Sequence, residues 1–280
     1  HTYYIQYGIL VRLALYYKIP VIMIHSRGKG KKDLQLKKII KQNPREHNLG
    51  YEYYHKDFQK IKNKKKLIQE GKKILVDRLL GNSKINYLSK SPYKGKLKKI
   101  CSKKEKIVIF CHDFFDSAHK FKNMIFSDFY EQLIFLINFI NKNTKYEIYL
   151  KIHPTHMKEN DIIFKKIKKK FKEKVIFLNK NFNNYSIVKS KPKFVITNNG
   201  TITHEMAYFK IPVINTGDNP HIKYQFSLNP NNLLELKKMI LDIDKYKKKI
   251  NFDKNKIFEF VYMHFIHPFK LRKKFNIDFE

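Results

Sequence analysis

The chain has 280 residues, 42% of them hydrophobic, which is enough for a sizeable core in one large domain or two smaller ones and excludes a disordered chain. Its formal charge of +35 admits a nucleic-acid partner, an anionic membrane or an anionic substrate, but the lysines are spread along the whole sequence, as a compositional drift would spread them over solvated helix backs. No apolar run reaches the ~18 residues of a membrane span, and Cys101 and Cys111 make no disulfide framework, so a reducing, cytoplasmic setting is expected.

In chain order, residues 2–17 carry apolar residues at helical spacing, and Lys18-Ile19-Pro20 leads into a strand over Val21–His25, read as a parallel strand of an α/β sheet. Residues 26–56 are polar, hold Gly28, Gly30 and Pro44, and read as an excursion at the C-terminal end of that strand. Residues 57–80 predict one Lys-rich amphipathic helix whose apolar side includes Phe58, Leu67, Leu75 and Leu79. Residues 81–105 lack sustained periodicity and contain Gly81, Pro92 and Gly95, which marks a domain boundary.

A new unit opens with the strand Lys106–His112. A helix over Asp128–Asn141 follows, then a strand Glu147–His153 stopped by Pro154, and a helix from Asn160 to Lys172. Next come a strand over Val175–Leu178, a short helix over Asn184–Lys189 and a buried strand over Phe194–Thr197. A polar turn at Asn198-Asn199-Gly200 leads into a helix capped by Thr201 or Thr203, with Glu205 in its first turn, and a strand over Pro212–Asn215. The alternation is that of a doubly wound parallel sheet. Helices over Leu233–Ile243 and Asn255–Phe265 complete the pattern, the last able to pack back on the first domain.

Three polar clusters fall at the C-terminal ends of predicted strands. They are HDFFDSAH (His112 to His119), KIHPTH (Lys151 to His156) and NNGT with Glu205, the last extended by NTGDNPH (Asn215 to His221). In a parallel sheet all three open on one edge, where ligands bind. The Gly turn and helix start in the third would aim backbone N–H groups at an anion such as a diphosphate. No HExxH, Cys cluster, GxSxG, GxGxxG or Walker lysine loop is present, so neither a metal site nor a nucleophilic serine is expected.

The KIHP strand end, followed further on by NNGTITHE and KIPVIN, resembles bacterial capsule and surface-polysaccharide glycosyltransferases of the GT-B fold. The HDFFDSAH segment with FSDFYEQL, the ending GDNPHIKYQF, and the start at His1-Thr2-Tyr3-Tyr4 with Tyr7, Gly8 and Arg12 resemble the same group. The resemblance implies an α/β, GT-B-like architecture of two Rossmann-like lobes with a cleft. The expected division is an acceptor-side lobe over 1–100 that reads as incomplete, a nucleotide-sugar lobe over 101–250, and a C-terminal helix in 251–280 returning to the first lobe.

It further implies transfer of a sugar from a nucleotide-activated donor to a capsule or lipopolysaccharide glycan, free or lipid-linked. No cofactor, no metal and no nucleic acid are expected, and peripheral contact with the inner face of an anionic membrane is. By that resemblance His153, Pro154, Asn199, Gly200, Thr201, Glu205, Asn219 and His221 meet the donor, and Asp113, Asp116 and His119 are the candidate bases. Two alternatives stay open: phospho-alditol transfer from a CDP-linked donor, and a non-catalytic polyanion or RNA binder. The second lacks any RRM, KH or helix-turn-helix signature.

Overall fold

The computed structural model describes residues 5–26, 34–39, 54–85, 92–116, 124–154 and 157–266. His119, His156, Gly28, Gly30 and Pro44 lie outside them.

In chain order come helix α1 (Ile5–Tyr16), strands β1 (Val21–Ser26) and β2 (Leu34–Ile39), and helices α2 (Tyr54–Gln59) and α3 (Lys64–Leu79). There follow β3 (Lys106–Phe110), α4 (Phe129–Asn143), β4 (Glu147–Lys151), α5 (Asn160–Lys170), β5 (Ile176–Leu178) and α6 (Asn184–Lys189). Then come β6 (Phe194–Thr197), α7 (Ile202–Tyr208), β7 (Val213–Asn215), α8 (Leu233–Leu241), α9 (Ile243–Tyr246) and α10 (Lys254–Phe265).

Strands β3 to β7 form one parallel five-stranded sheet in the order β5-β4-β3-β6-β7. The first strand in sequence sits in the middle. The chain therefore winds outward to β5, returns across β3 and continues to β7, which is the doubly wound topology the alternation predicts. Alternate residues of each strand go to opposite faces. Ile107 and Ile109 of β3 pack with α4, α5 and α8 on one face, while Val108 packs with Ile187 of α6 and Ile202 and Met206 of α7 on the other. Both faces are covered, so the strands read as unbroken apolar runs rather than as alternating ones. Asp128 and Asn232 cap α4 and α8, accepting from the Glu131 and Glu235 backbone N–H groups at 2.7 and 2.9 Å.

Two expectations are corrected. Strand β1 is not part of the parallel sheet; it pairs antiparallel with β2, Val21 opposite Ile39 and Ser26 opposite Leu34. The Leu34-Gln35-Leu36 alternation, inside a stretch read as a polar excursion, offers a partner close in sequence, and a hairpin closes a shorter loop than a crossover. The helix expected over 57–80 is divided into α2 and α3. Asn63 adopts φ 59°, a left-handed conformation that Asn tolerates better than most residues, and this turns the chain between them.

A second core forms where α10 packs on α2 and α3, joining Phe58, Leu75, Phe260 and Tyr262. The crossing is close because Gly71 of α3 has no side chain. A Cβ there would lie 2.0 Å from the Phe258 carbonyl oxygen. Backbone cannot yield as a flexible side chain can. Gly71→Ala is therefore expected to destabilise the protein by roughly 1–3 kcal/mol, in spite of alanine's better helix propensity, as read from chemical denaturation.

Candidate functional site

The loops after β3, β4 and β6 leave the sheet at the same edge. Between β3 and β6 the strand order reverses, and the loops there diverge to opposite faces, opening a crevice. A cleft of about 500 Å³ occupies that position. Its lining includes His112, Asp113 and Asp116 after β3, Lys151, His153 and Pro154 at the end of β4, and Asn199, Gly200 and Thr201 after β6. Arg78 of α3 and Pro92 close it from the other side. The structure thus brings together seven of the eleven candidate donor and base residues, with His112 and Lys151 beside them.

Their chemistry differs from residue to residue. Partial burial pushes the Asp113 carboxyl up, but hydrogen bonds from the Asn160 side chain and the Phe115 and Met157 backbone N–H groups, each 2.9 Å, outweigh this and hold it below its ordinary value. Both Asp113 oxygens are thus engaged in tying the loop after β3 to the start of α5. Asp116 is differently placed: one oxygen is 3.8 Å from His112 Nε2, and the His112 ring stacks on Phe129 with centroids 4.3 Å apart. His153 lies parallel to His112 at 6.0 Å. Burial, reinforced by the neighbouring His112, lowers the His153 pKa to about 4, so its imidazole is neutral near pH 7. It acts in the cleft as a hydrogen-bonding group and not as a charge.

The fixed charge comes from elsewhere. Lys151, 2% exposed at the end of β4, donates to the Lys180 carbonyl at 2.9 Å and to the Ile152 and Asn179 carbonyls at 3.3 Å. Among the described residues its ammonium forms no ion pair with a carboxylate. Burial pulls its pKa down to about 8, which leaves it mostly protonated at neutral pH.

Glu205 stands behind the cleft wall. It is 1% exposed, and its oxygens accept from Arg78 Nε at 3.1 Å and from the Tyr93 hydroxyl at 2.8 Å. This couples α7 to α3 and to the segment around residue 93. Asn219 and His221 are not in the cleft lining. Asn219 braces its own loop through the Gly217 carbonyl and Asn229, and His221 is buried against Phe260 and hydrogen-bonds His204 at 3.0 Å. Burial pushes both of these imidazoles down, His204 to about 3 and His221 well below its ordinary value.

Turn details also depart from expectation. Thr201 precedes α7 without a side-chain cap, and Thr203 instead exchanges hydrogen bonds with Asn215. Gly200 does not adopt a left-handed backbone. Its need is for space, since a Cβ would lie 3.2 Å from Ile202 Cγ2 and 3.3 Å from Thr197 Oγ1. His119 lies outside the described residues. Among the described residues no group of three or more His, Cys, Asp or Glu is placed to hold a metal ion, and no helix is long and apolar enough to cross a membrane.

Sequence reading left out Arg78 as a site residue, and it placed Lys151 only in a cluster. One signal was present. The chain holds five arginines among 59 basic residues, so an arginine kept within a Lys-rich helix marks a demand for the guanidinium.

Comparison with solved structures decides the fold. Thermosulfurimonas dismutans KpsC, a beta Kdo 2,4 transferase, aligns with a TM-score of 0.55 at 14% identity, over 92% of this chain and 77% of its own. The fold is GT-B-like. A second similarity, to the wall teichoic acid polymerase TagF, has a TM-score of 0.34 and 13% identity over 78% of this chain and 46% of that one, too low to bear on the fold. No protein-family model and no curated protein sequence matches the chain. In GT-B terms the five-stranded sheet supplies one wall of the cleft, and Arg78 and Pro92 belong to the opposing side.

Two outcomes follow from this geometry. Glu205→Ala leaves the buried Arg78 guanidinium without its carboxylate and is expected to cost about 3–5 kcal/mol in denaturant-measured stability, whereas Glu205→Gln, which keeps an acceptor, costs less. Separately, His204 has a folded pKa depressed from 6.5 to about 3, so its contribution to stability is present above pH 6.5 and is lost as pH falls toward 3. Stability should therefore decline on acidification from pH 6.5, and His204→Gln should make that slope shallower by about 1.4 kcal/mol per pH unit.

Proposed function

We propose that the protein is a glycosyltransferase that binds a nucleotide-activated sugar in this cleft and passes the sugar to a surface-polysaccharide glycan. The reading is carried by one observation. Three sequence-distant loops meet at the switch point of the sheet, around a buried lysine that has no carboxylate partner among the described residues. Its three N–H groups are held by backbone carbonyls, so what Lys151 offers the cleft is positive charge at short range, and the diphosphate of a nucleotide sugar is an anion that such a charge suits. The likeness in fold to a beta Kdo transferase supports the same reading.

In the proposed reaction an acceptor hydroxyl oxygen bonds to the anomeric carbon as the bond from that carbon to the diphosphate breaks. The departing diphosphate carries the negative charge. Lys151 would offset it, and a fixed positive group that is already in place stabilises such a transition state without reorganising, whereas the charge of Arg78 is balanced by Glu205. His153, neutral, would donate or accept a hydrogen bond at the nucleotide, with Asn199, Gly200 and Thr201 on the facing loop. The acceptor's proton would go to Asp116, which lines the cleft and has the His112 imidazole 3.8 Å away to share it. Asp113 acts here as the tie that positions that loop. The high positive charge would keep the enzyme near an anionic membrane carrying a lipid-linked acceptor.

The test is a thermal-shift panel with UDP, GDP, CDP and CMP, each at about a hundred times its Kd, where binding to the folded state adds ~2.7 kcal/mol. At least one pyrimidine nucleotide should raise the melting temperature, and Lys151→Met and His153→Ala should each remove most of that rise. If none of the four stabilises the wild type, the proposal fails. Analysis of the product linkage then separates sugar transfer, which leaves a glycosidic bond, from phospho-alditol transfer, which leaves a phosphodiester.

A further inference from the structure

One group in the cleft wall is left over by everything above. Asn184, 3% exposed, is the first residue of α6 and lines the cleft, but its Oδ1 has no hydrogen-bond partner among the described residues. A buried side-chain carbonyl in that condition is uncommon, because its lost hydration is normally replaced.

The surroundings fix which way the amide points. The Tyr93 hydroxyl donates its proton to Glu205 Oε2 at 2.8 Å, so toward Asn184 it can only accept. The Asn184 side chain hydrogen-bonds Tyr93, and its Nδ2 must be the donor. Arg78, on the other Glu205 oxygen at 3.1 Å, completes a chain that runs Asn184 to Tyr93 to Glu205 and back from Arg78. The backbone is equally fixed. Asn184 N–H donates to the Pro92 carbonyl at 2.8 Å, and the preceding Asn183 side chain grips the Tyr93 and Gly95 carbonyls at 2.8 and 2.9 Å. Flipping the amide to satisfy Oδ1 would set its carbonyl against the Tyr93 oxygen. The side chain is thus held by the Tyr93 hydroxyl and the backbone by the Pro92 carbonyl, with Asn183 fixing the segment alongside.

We propose that Asn184 is a specificity-determining residue whose Oδ1 accepts a hydrogen bond from a donor group of the bound nucleotide, either a ribose hydroxyl or an amine of the base. Oδ1 itself is covered, so a donor reaches it only as the cleft wall gives slightly on binding, which suits a small hydroxyl or an exocyclic amine and not a ring face or a phosphate. A phosphate oxygen, an acceptor itself, is repelled there. The inference rests on the nucleotide reading of the cleft and adds to it which part of the ligand faces α6. It also predicts asymmetry in discrimination. A site built around a buried acceptor rejects a ligand that lacks the matching donor far more strongly than a merely apolar wall does.

The experiment measures Kd for the best nucleotide of the panel, its 2′-deoxy and 3′-deoxy forms, and its cytosine or uracil counterpart, in wild type and in Asn184→Ala. One of these analogues should bind the wild type roughly 10- to 100-fold more weakly than the parent, and which one does so identifies the donor as ribose or base. In Asn184→Ala that discrimination should collapse to within about threefold, with the parent weakened to the analogue's level. A variant made simply less stable would weaken parent and analogue alike and keep their ratio, and that result overturns the inference. So does unchanged parent affinity in Asn184→Ala. A wild type that binds none of the nucleotides overturns the reading of the cleft and this inference together. If circular dichroism shows the alanine variant unfolded, Asn184→Ser replaces it with the same expectations.

Discussion

The buried ion pair between Arg78 and Glu205 is the constraint on which the arrangement of the cleft depends. It joins a helix of the first group of elements to a helix of the parallel sheet, through a carboxylate that is almost fully enclosed. Such a pair gains little net stability against its desolvation, but it is very sensitive to loss of either partner. Its consequence is geometric. Arg78 and Tyr93 both converge on Glu205, so the two walls of the cleft are fixed against each other by a directional polar contact as well as by apolar packing, which tolerates sliding.

Positive charge in this protein is of two kinds. Most lysines sit at the surface, where water and salt screen them beyond about 8–10 Å, and they act collectively as a diffuse attraction. Lys151 and Arg78 are enclosed, where screening is much weaker; Glu205 balances Arg78, and among the described residues no carboxylate pairs with Lys151. The formal charge alone points to polyanions in general.

How far the sequence alone reads into this structure follows from where each signal is local. The parallel strands were legible because a strand covered on both faces must be apolar at every position, as Phe194–Thr197 is. The convergence of Asp113, His153 and Gly200 was legible because a parallel sheet delivers every strand's C-terminal end to one edge. The β1–β2 hairpin was not, since Leu34 and Leu36 alternate for only a few residues within a polar stretch. Nor was the true position of Glu205: its partners come from a Lys-rich helix and from a segment without periodicity, and nothing near residue 205 reports on residue 78 or 93. Asn184 reads locally as an ordinary helix-start residue. Only the fixed proton order of its neighbours shows that one of its atoms is unmatched.

The close contact of Gly71 with the Phe258 carbonyl has a bearing on how the chain comes to fold. Helices α2 and α3 lie early in the sequence, and the core they need is completed only by α10. During synthesis, the five strands of the sheet can be made and wound while those early helices still expose the faces of Phe58, Leu75 and Leu79 to solvent. Nearly two hundred residues must leave the ribosome, at about 5–20 residues per second, before Phe258 and Phe260 arrive to cover them. For some ten seconds or more the nascent protein carries an uncovered greasy surface on these two helices, and that interval is when it is most prone to aggregate.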